Sequence, residues 1–187
     1  MNIVLFGAPG AGKGAQAERI SSTYGMVHLS TGEMLRSAIS SGSDLGARAK
    51  KTIDQGELVS DDVILKIVDA RLDERDCGKG VILDGFPRTV AQAEALDEIL
   101  AVKGQSLNHV IEIEVNEAVL FARIANRASE RRRTGTARSD DNAKTLRKRL
   151  AVYHENTAPL LPYYRGKGVL RSVDGMGSIE DVATQID

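Results

Sequence analysis

Five short apolar runs punctuate the chain: NIVLF at 2–6, VHL at 27–29, GVILD at 80–84, HVIEIEV at 109–115 and GVLRSV at 168–173. Each is bounded by glycine or polar residues, as expected of strands in a mostly parallel sheet, and the stretches between them repeat at helical spacing. Helix starts are marked by Ser30 with Glu33 three residues on, by Ser60 before DDVILKIVDARLDER, and by Ser178 with Asp181 in third position. Strand and helix in alternation predict an α/β fold.

Two stretches break the alternation. From 30 to 59 the helical patterns TGEMLRSAI and SDLGARAKKTIDQG follow one another without a strand, which predicts a helical insertion standing off the sheet. From 123 to 149 there are eight Arg and two Lys against Glu130, Asp140 and Asp141, the strongest local charge imbalance in the sequence.

With 187 residues, 42% of them hydrophobic, the chain can bury one sizeable core, so one domain is expected. The formal net charge of -1 at 27% charged residues gives no overall field for nucleic acid or a membrane surface. Cys77 is the only cysteine, which rules out an intrachain disulfide and a multi-cysteine zinc site and suits a reducing compartment. MNIVLF runs directly into a glycine-rich turn without a basic leader, so a cytoplasmic protein is expected. His28, His109 and His154 have no metal spacing and read as structural.

The chemistry begins at GAPGAGK, 7–13, which has the spacing G-x-x-x-x-G-K between an apolar strand and the helical pattern GAQAERISSTY. Such a turn aims backbone N–H groups at one point, at the positive end of a helix dipole, and Lys13 adds a charge for β- and γ-phosphate oxygens. The hydroxyl that often follows the lysine and ligates magnesium is absent, because Gly14 and Ala15 come next. A second group of stretches could hold an acceptor. LSTGEMLR at 29–36 puts Thr31 and Arg36 at a helix start; DGFPRTVAQ at 84–92 follows a strand and carries Asp84, Gly85, Arg88 and Gln92. Arg88 offers a bidentate fork for phosphate, and Asp84 can reach magnesium through water.

The loop GxPGxGKG resembles that of the nucleoside monophosphate kinases, in which glycine also follows the lysine and the metal is held mainly by phosphates and water. Thr or Ser generally comes next there, and Ala15 departs from that pattern; one neutral hydrogen bond is worth about 0.5–1.5 kcal/mol. The loop, LSTGEMLR, GELVSDD at 56–62, DGFPRT at 84–89 and RSDDNAKTLRKRL at 138–150 occur in the order and spacing of adenylate kinases, and the resemblance covers essentially the whole chain.

The resemblance implies a three-layer P-loop NTPase-type α/β fold with a central parallel five-stranded sheet, a nucleotide-monophosphate-binding insertion at 30–59 and a short lid at 126–139 within one kinase domain. It implies ATP contacts from Gly10, Ala11, Gly12, Lys13, Gly14, Ala15, Arg123, Arg127 and Gly177. For AMP it implies Thr31, Arg36, the backbone of Glu57, Leu58 and Val59, Gly85, Arg88, Gln92, Arg138 and Arg149. Lys13, Arg88, Arg127, Arg138 and Arg149 would be catalytic, Mg2+ would accompany ATP with Asp84 acting through water, and no zinc is expected. The implied reaction is ATP + AMP ⇌ 2 ADP by a monomer. A mobile arginine-rich flap suits it, since phosphoryl transfer asks for positioning, charge stabilisation and exclusion of water. For Arg131, Arg132 and Arg133 a solvated face, or pairing with Glu130, Asp140 and Asp141, is the expectation. Thr31 argues against a kinase preferring UMP or CMP, where this place tends to be Ala. A nucleotide-binding module without turnover is the other alternative, with Ala15 its one hint; no N-K-x-D motif supports a GTPase.

Overall fold

A computed structural model describes residues 1–42, 46, 50, 52–136 and 140–187. Its five strands are β1 (Asn2–Phe6), β2 (Val27–Ser30), β3 (Val81–Asp84), β4 (His109–Glu114) and β5 (Leu170–Asp174). All pair in parallel in the order β2-β3-β1-β4-β5. Every residue of β1 is buried, and its side chains part by alternation. Val4 and Phe6 join Leu29, Leu83 and Val110 in a core on one face, while Ile3 and Leu5 join Ile82, Ile111 and Ile113 on the other.

Helices cover both faces, giving the three layers expected. The first face carries α3 (Asp61–Leu72), α4 (Val90–Val102) and α7 (Leu160–Gly166), whose Val68, Leu96, Leu100 and Tyr164 are fully buried. On the second lie α1 (Lys13–Tyr24), through Ala17 and Ile20, and α8 (Ile179–Ile186), through Val182. Beyond the sheet's carboxyl edge stand α2 (Thr31–Ser40), α5 (Glu117–Arg133) and α6 (Ala143–Val152). The last two share a small core of Leu120, Ile124, Leu146 and Leu150.

All five strands stand where the apolar runs predict them, with ends that shift for local reasons. β5 starts at Leu170 because Gly168 is still closing the turn after α7, its N–H bonded to the Arg165 carbonyl. Ser178 and Asp181 form the reciprocal capping box. Ser30 stands at the N-cap of α2, where β2 ends paired with Asp84, but its side chain makes no cap bond, so the expected capping box does not form. Of the 43–56 pattern, residues 46, 50 and 52–56 are described, and 46, 50 and 52–54 are helical. Residues 126–133 form the end of α5, and the chain turns at Thr134 and Gly135.

Candidate active site

Strand β1 lies between β3 and β4, so the chain leaves it at the point where the winding of the sheet reverses, the place where open α/β sheets bind ligands. Gly12 caps α1 at φ 104°, a backbone conformation glycine adopts at little cost. The Lys13 ammonium turns back over the loop and donates to the Gly7 and Ala8 carbonyl oxygens at 2.7 and 3.1 Å. It lies half-buried on the floor of a cleft of about 920 Å³. Burial pushes its pKa down to about 8 against the pull of Asp84, and Arg88, Arg127 and Arg149 push it the same way.

One wall of the cleft comes from the carboxyl end of β3. Asp84 lies 3.5 Å from His28 Nε2. Burial opposes its ionisation, but His28 and Lys13 hold the carboxyl below its usual value. A Cβ on Gly14 would sit 3.8 Å from an Asp84 oxygen, so loop and carboxylate face the same space. Gly85, at φ 79°, is pinned from two sides: a Cβ there would approach Arg88 Nη2 and Thr31 Oγ1 to 3.0 Å. Thr31 is buried and donates to the Gly85 carbonyl at 3.0 Å; Arg88 Nε donates to the same oxygen at 2.7 Å. Burial lowers the Arg88 pKa, with Arg149 adding to the effect.

The other walls bring in the remaining predicted groups. Arg36 lies against Gly32 on α2, and Leu58 and Val59 line the cleft below it. The Glu57 side chain points elsewhere, to Lys148 at 2.7 Å. Gln92 is buried, with its amide oxygen accepting from the Arg88 N–H at 2.7 Å and its nitrogen donating to Asp61 at 2.6 Å. Arg127 and Arg149 arrive from α5 and α6, paired with the buried Asp141 and Asp140 respectively. Gly10, Gly12, Gly14 and Ala15 line the main cleft; Gly10, Ala11, Gly12 and Ala15 also line an adjoining recess of about 360 Å³ with Gly177 and Arg123. There the Arg123 guanidinium donates to the Gly175 carbonyl at 2.8 Å. Arg138 lies outside the described residues.

The glycine-rich loop and Lys13 thus share one cleft with Arg36, Arg88, Arg127 and Arg149. The family description "Adenylate kinase" matches residues 5–169. The chain belongs to the adenylate kinase family. It is 52% identical, over all of its length and 90% of the relative's, to an adenylate kinase of Parvibaculum lavamentivorans. It is equally similar to that of Caulobacter vibrioides, covering 95% of it, and 48% identical to that of Paramagnetospirillum magneticum, covering 97%. As an adenylate kinase the chain is a phosphotransferase, moving the terminal phosphoryl group of ATP reversibly to AMP to give two ADP.

Three residues of this adenylate kinase site escape a reading of the sequence. Thr157, in a π-helical turn over Tyr153–Thr157, donates to the Arg88 carbonyl at 2.9 Å and braces the loop that carries that arginine. Tyr153 lines the cleft from the same turn. Asp61 meets the site through Gln92. The π-helical turn has no glycine or proline of its own to signal it, and Asp61 reads as an ordinary acidic residue in a first helical turn. Asp140 and Asp141, expected as partners for the 131–133 cluster, pair chiefly with Arg149 and Arg127; Arg131 Nε is 3.8 Å from Asp141, and Arg132 and Arg133 are exposed.

Proposed function

We propose that the adenylate kinase reaction runs in this cleft with the loop amides and Lys13 holding the ATP phosphates and Arg36 and Arg88 holding the AMP phosphate. Arg127, Arg138 and Arg149 neutralise charge on the moving phosphoryl group. One observation carries the reading: Lys13 shares one cleft with Asp84 and Arg88 from the end of β3, Arg127 from α5 and Arg149 from α6, so charges from three other segments converge on the phosphate loop. Such an array suits a transfer whose transition state spreads negative charge over oxygens and forms no bond to the protein. Arg127 Nε is buried with no hydrogen-bond partner among the described residues, a donor unspent by the fold. The acceptor is already an anion, so no general base is assigned.

The donor set fits magnesium carried by phosphate. Among the described residues no three His, Cys, Asp or Glu are grouped to hold a metal, and the acid beside the loop is Asp84. A small hard cation that keeps several waters suits one carboxylate and a triphosphate. Bound there, it would neutralise β- and γ-phosphate charge, while Asp84 orients its water shell. Lys13 and the loop amides fix the triphosphate, the arginines exclude water as they gather, and Thr31 and Gln92 hold the acceptor base. The Gly177 backbone touches the ATP base in the adjoining recess, and Arg123, which lines both spaces, turns toward the phosphates. The reading extends to a monomer in the cytoplasm, which the single buried thiol of Cys77 suits.

The test is ADP formation from Mg·ATP with AMP, UMP, CMP or GMP as acceptor. Strong preference for AMP is expected; comparable turnover with a pyrimidine nucleotide would overturn the acceptor assignment. Ala15→Thr, run alongside, restores a hydroxyl on the loop. It should tighten ATP binding by a few-fold to about tenfold, the value of one hydrogen bond.

A further inference from the structure

Gln92 is a side chain with a choice, since an amide turned over exchanges its donor and its acceptor. The fold removes the choice. At one end Oε1 accepts from the Arg88 backbone N–H at 2.7 Å; at the other Nε2 donates to Asp61 Oδ1 at 2.6 Å. Turning the amide over would press its oxygen against a carboxylate oxygen and its NH2 against an N–H. At 3% exposure, little water reaches Gln92 to replace the bonds. Its own N–H is also held, by Thr89 Oγ1 at 3.2 Å. Asp61, the first residue of α3, is not among the residues that line the cleft, and its side chain meets the lining at Gln92.

What Gln92 has left, on a wall of the cleft, is one amide hydrogen and one carbonyl lone pair in a fixed order. Adenine offers N6–H as donor beside N1 as acceptor and matches that order. A 6-oxopurine offers O6 as acceptor beside N1–H as donor and needs the reverse. We propose that Asp61 is a positioning residue that holds Gln92 in its adenine-reading orientation and so excludes 6-oxopurine monophosphates from the acceptor site. The proposal rests on the reading of Gln92 as a contact of the AMP base. Discrimination comes from the unavailability of the turned-over amide, whose groups would otherwise adapt to either base.

The experiment compares kcat and KM for AMP and for IMP as acceptors in the parent, Asp61→Asn, Asp62→Asn and Gln92→Ala, with a thermal melt of each. Asn at 61 can present either end of its own amide, so Gln92 is released. The AMP-over-IMP ratio of kcat/KM should fall on the order of tenfold, carried by KM and not kcat. Asp62, also in the first turn of α3 but exposed, should leave the ratio unchanged when changed to Asn. A merely structural Asp61 would lower the melting temperature and leave the ratio alone, which would overturn the proposal. If Gln92→Ala collapses the ratio and Asp61→Asn does not, the Asp61 role fails and the base-reading role of Gln92 stands. If Gln92→Ala leaves the ratio unchanged, both fail.

Discussion

Lys13 sits where pH can read the cleft. Burial holds its pKa near 8, against an ordinary value of 10.5. The folded protein therefore binds this proton less tightly than the unfolded chain does. The charge costs stability below about pH 8, and that cost fades as pH rises from 8 toward 10.5. A triphosphate supplies the missing countercharge and raises the pKa again. ATP binding at about pH 8.5 should take up a fraction of a proton, and affinity should weaken as pH rises further. Calorimetry in two buffers of different ionisation heat measures the uptake; no difference between buffers would remove Lys13 from the triphosphate site. Arg88 makes the same point through stability. It is a charge depressed by burial and by Arg149, with Gly85 O accepting from its Nε. Arg88→Ala should cost about 10²–10³ in turnover while the melting temperature holds or rises, because the folded state sheds a poorly compensated charge. Near-normal turnover would empty the proposed AMP-phosphate site.

The arginines of α5 and α6 owe their positions to their acids. Asp140 is buried, which disfavours its charge, yet Arg149 brings its pKa below the ordinary value. The lowered value means that the pair's contribution is present above the usual carboxylate pKa and is lost as pH falls through the folded value. Asp140→Asn should lower stability by about 1.5–3 kcal/mol at neutral pH and less in acid, measured by urea unfolding at both. An equal loss at both pH values would separate Asp140 from the titrating pair. At this scale the sequence was legible where one residue's chemistry dictates a local outcome. The strands announce themselves by apolar runs, α8 by Ser178 and Asp181, and the phosphate loop by glycines that admit a left-handed turn. Legibility fails where an outcome depends on what arrives from elsewhere in the chain. Ser30 and Glu33 spell a capping box, but at the junction of β2 and α2 the Ser30 side chain makes no cap bond. Gln92 reads as a free amide until Asp61, from another helix, fixes it. Thr157 reads as a helical residue until the π-helical turn aims it at Arg88.

At the scale of the molecule, two cores clamp the sheet from either face, and the groups proposed to handle phosphate line the cleft at its carboxyl edge. The flanks already touch. Glu57 pairs with Lys148, and a Cβ on Gly56 would come within 3.2 Å of the Arg149 side chain. The cleft of about 920 Å³ runs unbroken from the phosphate loop to Arg88 and Gln92, at the upper end of what one ligand occupies, and the recess beside Gly177 extends it. If the two ends take bases as proposed, two adenosines joined 5′ to 5′ through phosphates will bind as a single ligand. Once one end is seated, the other is held at millimolar effective concentration, so affinity should exceed that of either nucleotide by about 10²–10⁴. The gain depends on reach. A chain too short to span from the loop to Arg88 forfeits one end, and a longer one loses the advantage gradually. Titrating a series of about three to six phosphates should show a maximum at one length. Arg88→Ala should flatten that maximum toward the affinity of one nucleotide while leaving ATP binding intact. Affinity that ignores chain length would mean that the two ends of the trough are not occupied together.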